Sequence, residues 1–129
     1  IASGVNPKNF WYNFRNDGND PWYFEFNMGI TRQDFSPKPA YAVFSTMTSI
    51  LKGTSFKELE TREDNTYIAI FEGPKKQVKA VWNPQQKITL SPEDTEFACD
   101  IKMNAIGELL PGQKIIVPKG PPVYLISNK

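Results

Sequence analysis

Past Gly53 the apolar residues recur with period two in short runs, and this change of period limits the fold more than any other feature. TYIAIFE (66–72), QVKAVW (77–82), KITL (87–90), EFACDIKM (96–103), KIIV (114–117) and PVYLIS (122–127) are rich in β-branched and aromatic residues and are separated by turn formers. Such runs read as strands. GPKK (73–76) and NPQQ (83–86) are short enough to close hairpins, so the first three runs are expected to form an antiparallel meander. SFKELE (55–60) adds a strand before it. Six or seven strands with regular turn signals predict a mainly β fold, a small antiparallel β-sandwich over residues 54–129. Phe56, Tyr67, Phe71, Trp82, Phe97 and Tyr124 fall at its core positions.

The first 53 residues have another character. DFSPKPAYAVFSTMTSILKG (34–53) is a helix with both end signals: Ser36 as the N-terminal cap, Pro37 and Pro39 where a missing N–H costs nothing, and Lys52–Gly53 at the stop. Val43, Phe44, Met47, Ile50 and Leu51, with Tyr41 beside them, make one apolar stripe. Before it, NFWYNF (9–14) is apolar on both faces except at Asn13, the pattern of a strand buried on both sides in a parallel sheet. A loop of about 20 residues joins the two, longer than compact domains usually carry without a functional reason. Strand, loop and helix make one βα unit, and a parallel strand needs other such units for partners. The expectation is that residues 1–53 are an incomplete unit of a larger α/β structure and that the chain is a C-terminal piece.

Composition excludes several chemistries. The 129 residues contain no histidine, so Ser/His/Asp and Cys/His nucleophilic systems are ruled out and zinc or iron sites lose their commonest ligand. Cys99 stands alone in an apolar alternation and reads as a small buried residue. With scattered lysines and a net charge of +1, no nucleic-acid stripe is indicated. No apolar run approaches the ~20 residues that span a bilayer. The glycines match no phosphate-binding loop. Neither a cofactor nor a metal is expected; EDNT (63–66) and SPEDTE (91–96) read as solvated acidic turns.

The segment FWYNFRNDGNDPWYFEFNMGITRQDFSPKPAYAVFSTM resembles the last βα unit of retaining glycoside hydrolases with a (β/α)8 barrel. In that family an aromatic strand ends in Tyr-x-x-Arg/Lys-Asn/Asp-Asp-Gly and is followed by a Gly-hydrophobic pair, an Asp, and Pro-Lys-Pro-Ala-Tyr. Here these are Tyr12, Arg15, Asn16, Asp17, Gly18, Gly29, Ile30, Asp34 and Pro37 to Tyr41. Trp82 at a strand end, Asp100 before Gly107, and the closing PPVYLI with Tyr124 are similar to the β-sandwich that follows such barrels. The resemblance implies a secreted or periplasmic parent enzyme whose barrel is the partner of this chain and which brings the oligo- or polysaccharide. It also implies that the two catalytic glutamates, about 5 Å apart in retaining enzymes, precede Ile1. None of the fourteen carboxylates here is then catalytic, and the chain alone is inactive. The alternatives are a carbohydrate-binding module and a non-enzymatic β-sandwich interaction module.

Four residues are candidate sugar contacts. Trp11, Tyr12 and Trp22 offer rings on which a sugar C–H face can stack, although packing explains Trp11 and Tyr12 equally simply. Glu25 follows aromatics in a loop expected at the barrel's C-terminal face, where active sites of such barrels form. Arg15 is expected to pair with Asp17 or Asp20 and hold the loop. Left without neighbours, residues 9–51 would expose a large apolar surface, so the isolated chain is expected to self-associate through them.

Overall fold

A computed structural model describes residues 12–91, 94, 100–103, 106–109 and 115–129, the segments 100–103 and 106–109 by their backbone. A 3₁₀ turn, Phe24–Asn27, precedes one helix, α1 (Pro39–Leu51). Eight strands follow: β1 (Ser55–Thr61), β2 (Tyr67–Glu72), β3 (Lys76–Trp82), β4 (Ile88–Leu90), β5 (Asp100–Met103), β6 (Ile106–Leu109), β7 (Ile115–Val117) and β8 (Val123–Asn128). All pairings between these strands are antiparallel. Six form one sheet in the order β1-β2-β3-β8-β5-β6, and β4 and β7 form a second. The fold is therefore mainly β with a single α-helix among the described residues. Phe97 and Cys99 lie outside them, as do residues 9–11 of NFWYNF and most of SPEDTE.

Alternation along three strands builds two cores, one on each face of the large sheet. Ile68, Ile70, Val81, Val123 and Leu125 point to one face, where Leu90, Ile115 and Val117 of the small sheet close over them. Ala69, Phe71, Val78, Ala80, Tyr124 and Ile126 point to the other face, which Ile50 of α1 covers with Met47, Leu51, Phe56 and Trp82 at its margin. This is why YIAIF and VYLI are continuous apolar runs rather than strict alternations: β2 and β8 are buried on both sides. Each fully buried side chain contributes roughly 1.5–3 kcal/mol.

The expected hairpin at NPQQ does not form. β3 is paired with β8 along its whole second edge, Lys76 with Asn128 through Val81 with Val123, so no edge remains for β4. The chain leaves the sheet at Asn83, whose side chain is fully buried. Its Oδ1 accepts hydrogen bonds from the Gln85 and Gln86 N–H groups at 2.9 and 3.1 Å. Its Nδ2 donates to the Asp64 carbonyl at 2.9 Å and to Thr66 Oγ1 at 3.2 Å. The turn is thereby pinned to the β1–β2 loop and sends β4 across to the second sheet. GPKK does close β2 onto β3, with the Gly73 N–H donating to the Lys76 carbonyl at 2.9 Å.

In the N-terminal part Tyr12 to Phe14, the described half of NFWYNF, form no regular strand and Tyr12 and Phe14 are exposed, while isolated bridges join Arg15 to Thr31 in parallel and Thr31 to Pro37 in antiparallel fashion. Ser36 does not cap α1. Its N–H donates to Asp34 Oδ1 at 2.9 Å and its hydroxyl accepts from Arg32 Nη1 at 3.3 Å, while the helix starts at Pro39 after an uncapped Lys38. The stop is as expected: Gly53 has φ +77°, a value that disfavours other residues. Lys76 Nζ donates to the Ile50 carbonyl, placing a cation on the negative end of α1 and tying the helix to β3.

Two paired carboxylates are expected to link the stability of the fold to acid pH. The Arg62 guanidinium bonded to Asp94, helped by the Ser91 N–H, holds the Asp94 carboxyl below the usual range, and Lys129 and then Lys57 do the same for Glu72. A carboxyl depressed in the folded state contributes stability that is present above its unfolded pKa, about 3.9 for Asp and 4.3 for Glu, and that is lost as pH falls through the folded value. The urea midpoint is therefore expected to stay level between neutrality and about pH 5 and to fall below about pH 4. Asp94→Asn should flatten part of that fall; an unchanged slope in this variant would show that the pair does not couple to folding.

Candidate functional site

The loop from Tyr12 to Lys38 is organised by one buried amide. The Asn16 side chain accepts from the Gly29 N–H at 3.2 Å and from Lys38 Nζ at 2.8 Å, and donates to Asn27 Oδ1 at 3.3 Å. Lys38 Nζ also donates to the Asn27 carbonyl at 2.9 Å, and Asn27 Nδ2 reaches back to the Asp20 and Tyr23 carbonyls at 2.9 and 3.0 Å. The two arms of the loop are thus cross-linked through Asn16, Asn27 and Lys38. Gly29 must lack a side chain for this to close, because a Cβ there would lie 2.3 Å from the Asn16 backbone nitrogen. Thr31 Oγ1 donates to the Phe14 carbonyl at 2.9 Å and completes the frame.

Aromatics stand on the outside of this frame. Tyr12 is 70% exposed, Trp22 92% and Phe24 75%, with Phe14 and Tyr23 about half exposed. Tyr23 packs edge-on against Phe26 with ring centroids 4.7 Å apart. Of the four candidate sugar contacts, Tyr12, Trp22 and Glu25 lie on this loop, and Trp11 lies outside the described residues. The Glu25 carboxylate accepts from Tyr23 OH at 3.2 Å, and Tyr12 OH sits 3.5 Å from Asp17. The Trp22 backbone N–H donates to Asp20 Oδ1 at 2.9 Å.

The expected ion pair of Arg15 is absent among the described residues. Asp17 is taken by Asn13 Nδ2 at 3.0 Å and Asp20 by Trp22, so the Arg15 guanidinium lies instead over the Phe35 ring, 4.9 Å from its centroid. Such a cation–π contact is of the same order as an exposed ion pair.

Two concavities adjoin these elements. A polar pocket of about 430 Å³ is lined by Asn19, Arg32, Gln33 and Asp34. The Asp34 carboxyl lies below its usual range because the Ser36 hydroxyl and N–H bond to it, so it is ionised at neutral pH. An apolar groove of about 250 Å³ runs between α1 and the large sheet, lined by residues including Met47, Leu51, Phe71, Trp82 and Tyr124. Burial there raises the Tyr124 phenol above its ordinary value. The described residues contain no group of three or more metal-ligating side chains, and no helix long and apolar enough to cross a membrane.

Sequence reading missed the cross-link. Asn16 and Lys38 both stood inside the recognised motifs, but nothing in their spacing of 22 residues announced that they touch. The signal that was available is Gly29, a lone glycine where two backbone arms approach.

No protein-family model matches this sequence, and no curated protein does. Among solved structures the chain is similar to part of a family 39 glycoside hydrolase from the gut symbiont Bacteroides cellulosilyticus WH2, with a TM-score of 0.69 and 25% identity. The likeness takes in 93% of this chain and 26% of that one, so the chain spans about a quarter of the length of the enzyme it resembles.

Proposed function

We propose that this chain is the C-terminal portion of a glycoside hydrolase, with residues 1–53 as the last βα unit of a (β/α)8 barrel and residues 54–129 as an accessory β-sandwich. The observation that carries this reading is the likeness of 93% of the chain to a quarter of a family 39 glycoside hydrolase. The half-covered helix supports it. Met47, Ile50 and Leu51 pack on the sheet, whereas Tyr41, Val43 and Phe44, one and two turns earlier, face solvent as an unpaired barrel helix would. In this reading the sandwich anchors the final helix through Ile50 and Lys76 and so closes the barrel. Trp11, Tyr12, Trp22 and Glu25 contribute sugar contacts at the barrel mouth, on an enzyme that is secreted or periplasmic.

Hydrolysis with retention needs an acid/base and a nucleophile about 5 Å apart, and here these come from the preceding barrel units, leaving the chain inactive alone. The gene sequence upstream of the Ile1 codon tests this. An open frame of several hundred codons encoding two glutamates at barrel-strand ends is expected. A start codon directly before Ile1 would sink the proposal.

A further inference from the structure

One row of side chains crossing the large sheet under α1 creates the apolar groove. Ala69 of β2 pairs with Ala80 of β3, and Ala80 with Tyr124 of β8, so two small residues lie side by side on the face that the helix covers. Phe71 and Trp82, each two positions further along its strand, stand on opposite sides of this row, because β2 and β3 run antiparallel. A methyl group at positions 69 and 80 leaves a hollow of about 250 Å³ between the sheet and Met47 and Leu51 of the helix.

Tyr124 lines this hollow and is only 2% exposed. Its hydroxyl has no hydrogen-bond partner among the described residues, and burial raises its pKa with no bond to offset it. Buried phenols ordinarily find a partner, so one without it needs a physical explanation. Water is a poor candidate. A buried water is held by about three hydrogen bonds, whereas the other described side chains of the lining carry only the Trp82 indole N–H and the Met47 thioether. An apolar cavity of about 150 Å³ stays dry and takes up benzene, so this larger one has room for a substituted ring. Among the described residues no charged side chain lines it, and an ion there would be buried unpaired.

We propose that the groove between α1 and the large sheet binds a small uncharged aromatic molecule that carries one hydrogen-bond acceptor, such as an aryl ketone. The ring packs over Ala69 and Ala80 between Phe71 and Trp82, and the acceptor takes the hydrogen of the Tyr124 hydroxyl. A peptide segment fits less well, because it would bury several backbone N–H and C=O groups against a lining with few partners to offer. An inserted apolar side chain would leave the phenol unpaired. The proposal stands on the hollow and on Tyr124, and it does not depend on the barrel reading.

The test is a titration of the 129-residue chain, labelled with ¹³C at its methionine and alanine methyls, with acetophenone, ethylbenzene and benzoate. Saturable shifts of the Met47, Ala69 and Ala80 methyl signals are expected with the two neutral probes and not with benzoate. Tyr124→Phe removes only the hydroxyl, and it should weaken acetophenone about two- to tenfold while leaving ethylbenzene unchanged. Ala80→Leu fills the hollow and should weaken both neutral probes about tenfold or more. Unchanged backbone signals away from the groove show that each variant is folded; should Ala80→Leu fail to fold, Tyr124→Phe decides alone. Absence of saturable shifts with acetophenone, tighter binding of benzoate, or an equal effect of Tyr124→Phe on both neutral probes would overturn the proposal. So would an acetophenone affinity that falls as the chain concentration rises, the mark of a second copy in the groove.

Discussion

In gel filtration coupled to light scattering, the chain is expected to run as a dimer or larger at micromolar concentration, and Phe44→Asp is expected to return it to the 14.7 kDa monomer. Tyr41, Val43 and Phe44 are 40, 39 and 44% exposed on one side of α1, and Tyr12, Phe14, Trp22 and Phe24 add further apolar surface. Tyr41, Val43 and Phe44 keep only about two-fifths of their surface, so completing their burial contributes roughly 0.6–1.3 kcal/mol each, and the helix faces and loop aromatics of both copies must take part to exceed an association cost of about 4–15 kcal/mol. A symmetric pairing of the helix face with itself is the simplest closed arrangement. Aspartate at position 44 would put a charge into the centre of that contact and leave the cores untouched, because Phe44 belongs to neither. A monomer in the unsubstituted chain, unchanged by Phe44→Asp, would mean that the exposed face has no affinity for itself.

The second large effect is expected at Asn83. Asn83→Leu keeps the branched shape at a larger volume and leaves the Gln85 and Gln86 N–H groups and the Asp64 carbonyl without their Asn83 partner, while the Thr66 hydroxyl keeps its bond to Asp64 Oδ2. Stranding buried polar groups costs about 1–3 kcal/mol each, and partial access to water around the turn reduces the sum to about 3–5 kcal/mol. For a chain of this size that lowers the thermal midpoint by roughly 10 °C or more. Differential scanning calorimetry measures it directly. A drop below about 3 °C would show that the β3–β4 crossing is held by the apolar core and not by this side chain.

β2, β3 and β8 were legible because TYIAIFE, QVKAVW and PVYLIS are short runs of β-branched and aromatic residues bounded by turn formers, continuous in β2 and β8 where both faces are buried, and the β2–β3 hairpin because GPKK is a short turn with a glycine. The helix was legible through its 3.6-residue stripe and through Gly53. β6 was not, since IGEL has too few apolar positions to show a period. Pairing partners were legible only where the connecting loop was short.

What tertiary structure decided is which groups meet across long separations. β8 takes the edge of β3 that KITL seemed to claim, because one strand of six residues buried on both faces stabilises more than a three-residue strand could. Asn16 meets Lys38, and Arg15 leaves the acids beside it for Phe35, because the loop closes on itself and brings distant atoms within bonding distance. Tyr12 and Phe14, strand-like by pattern, end exposed because an apolar run is buried only where a second surface stands against it. Local sequence sets the backbone period and the turns, through sterics and short-range hydrogen bonds. Which faces are covered and which side chains converge on the loop depends on contacts between distant residues, and no local pattern records those.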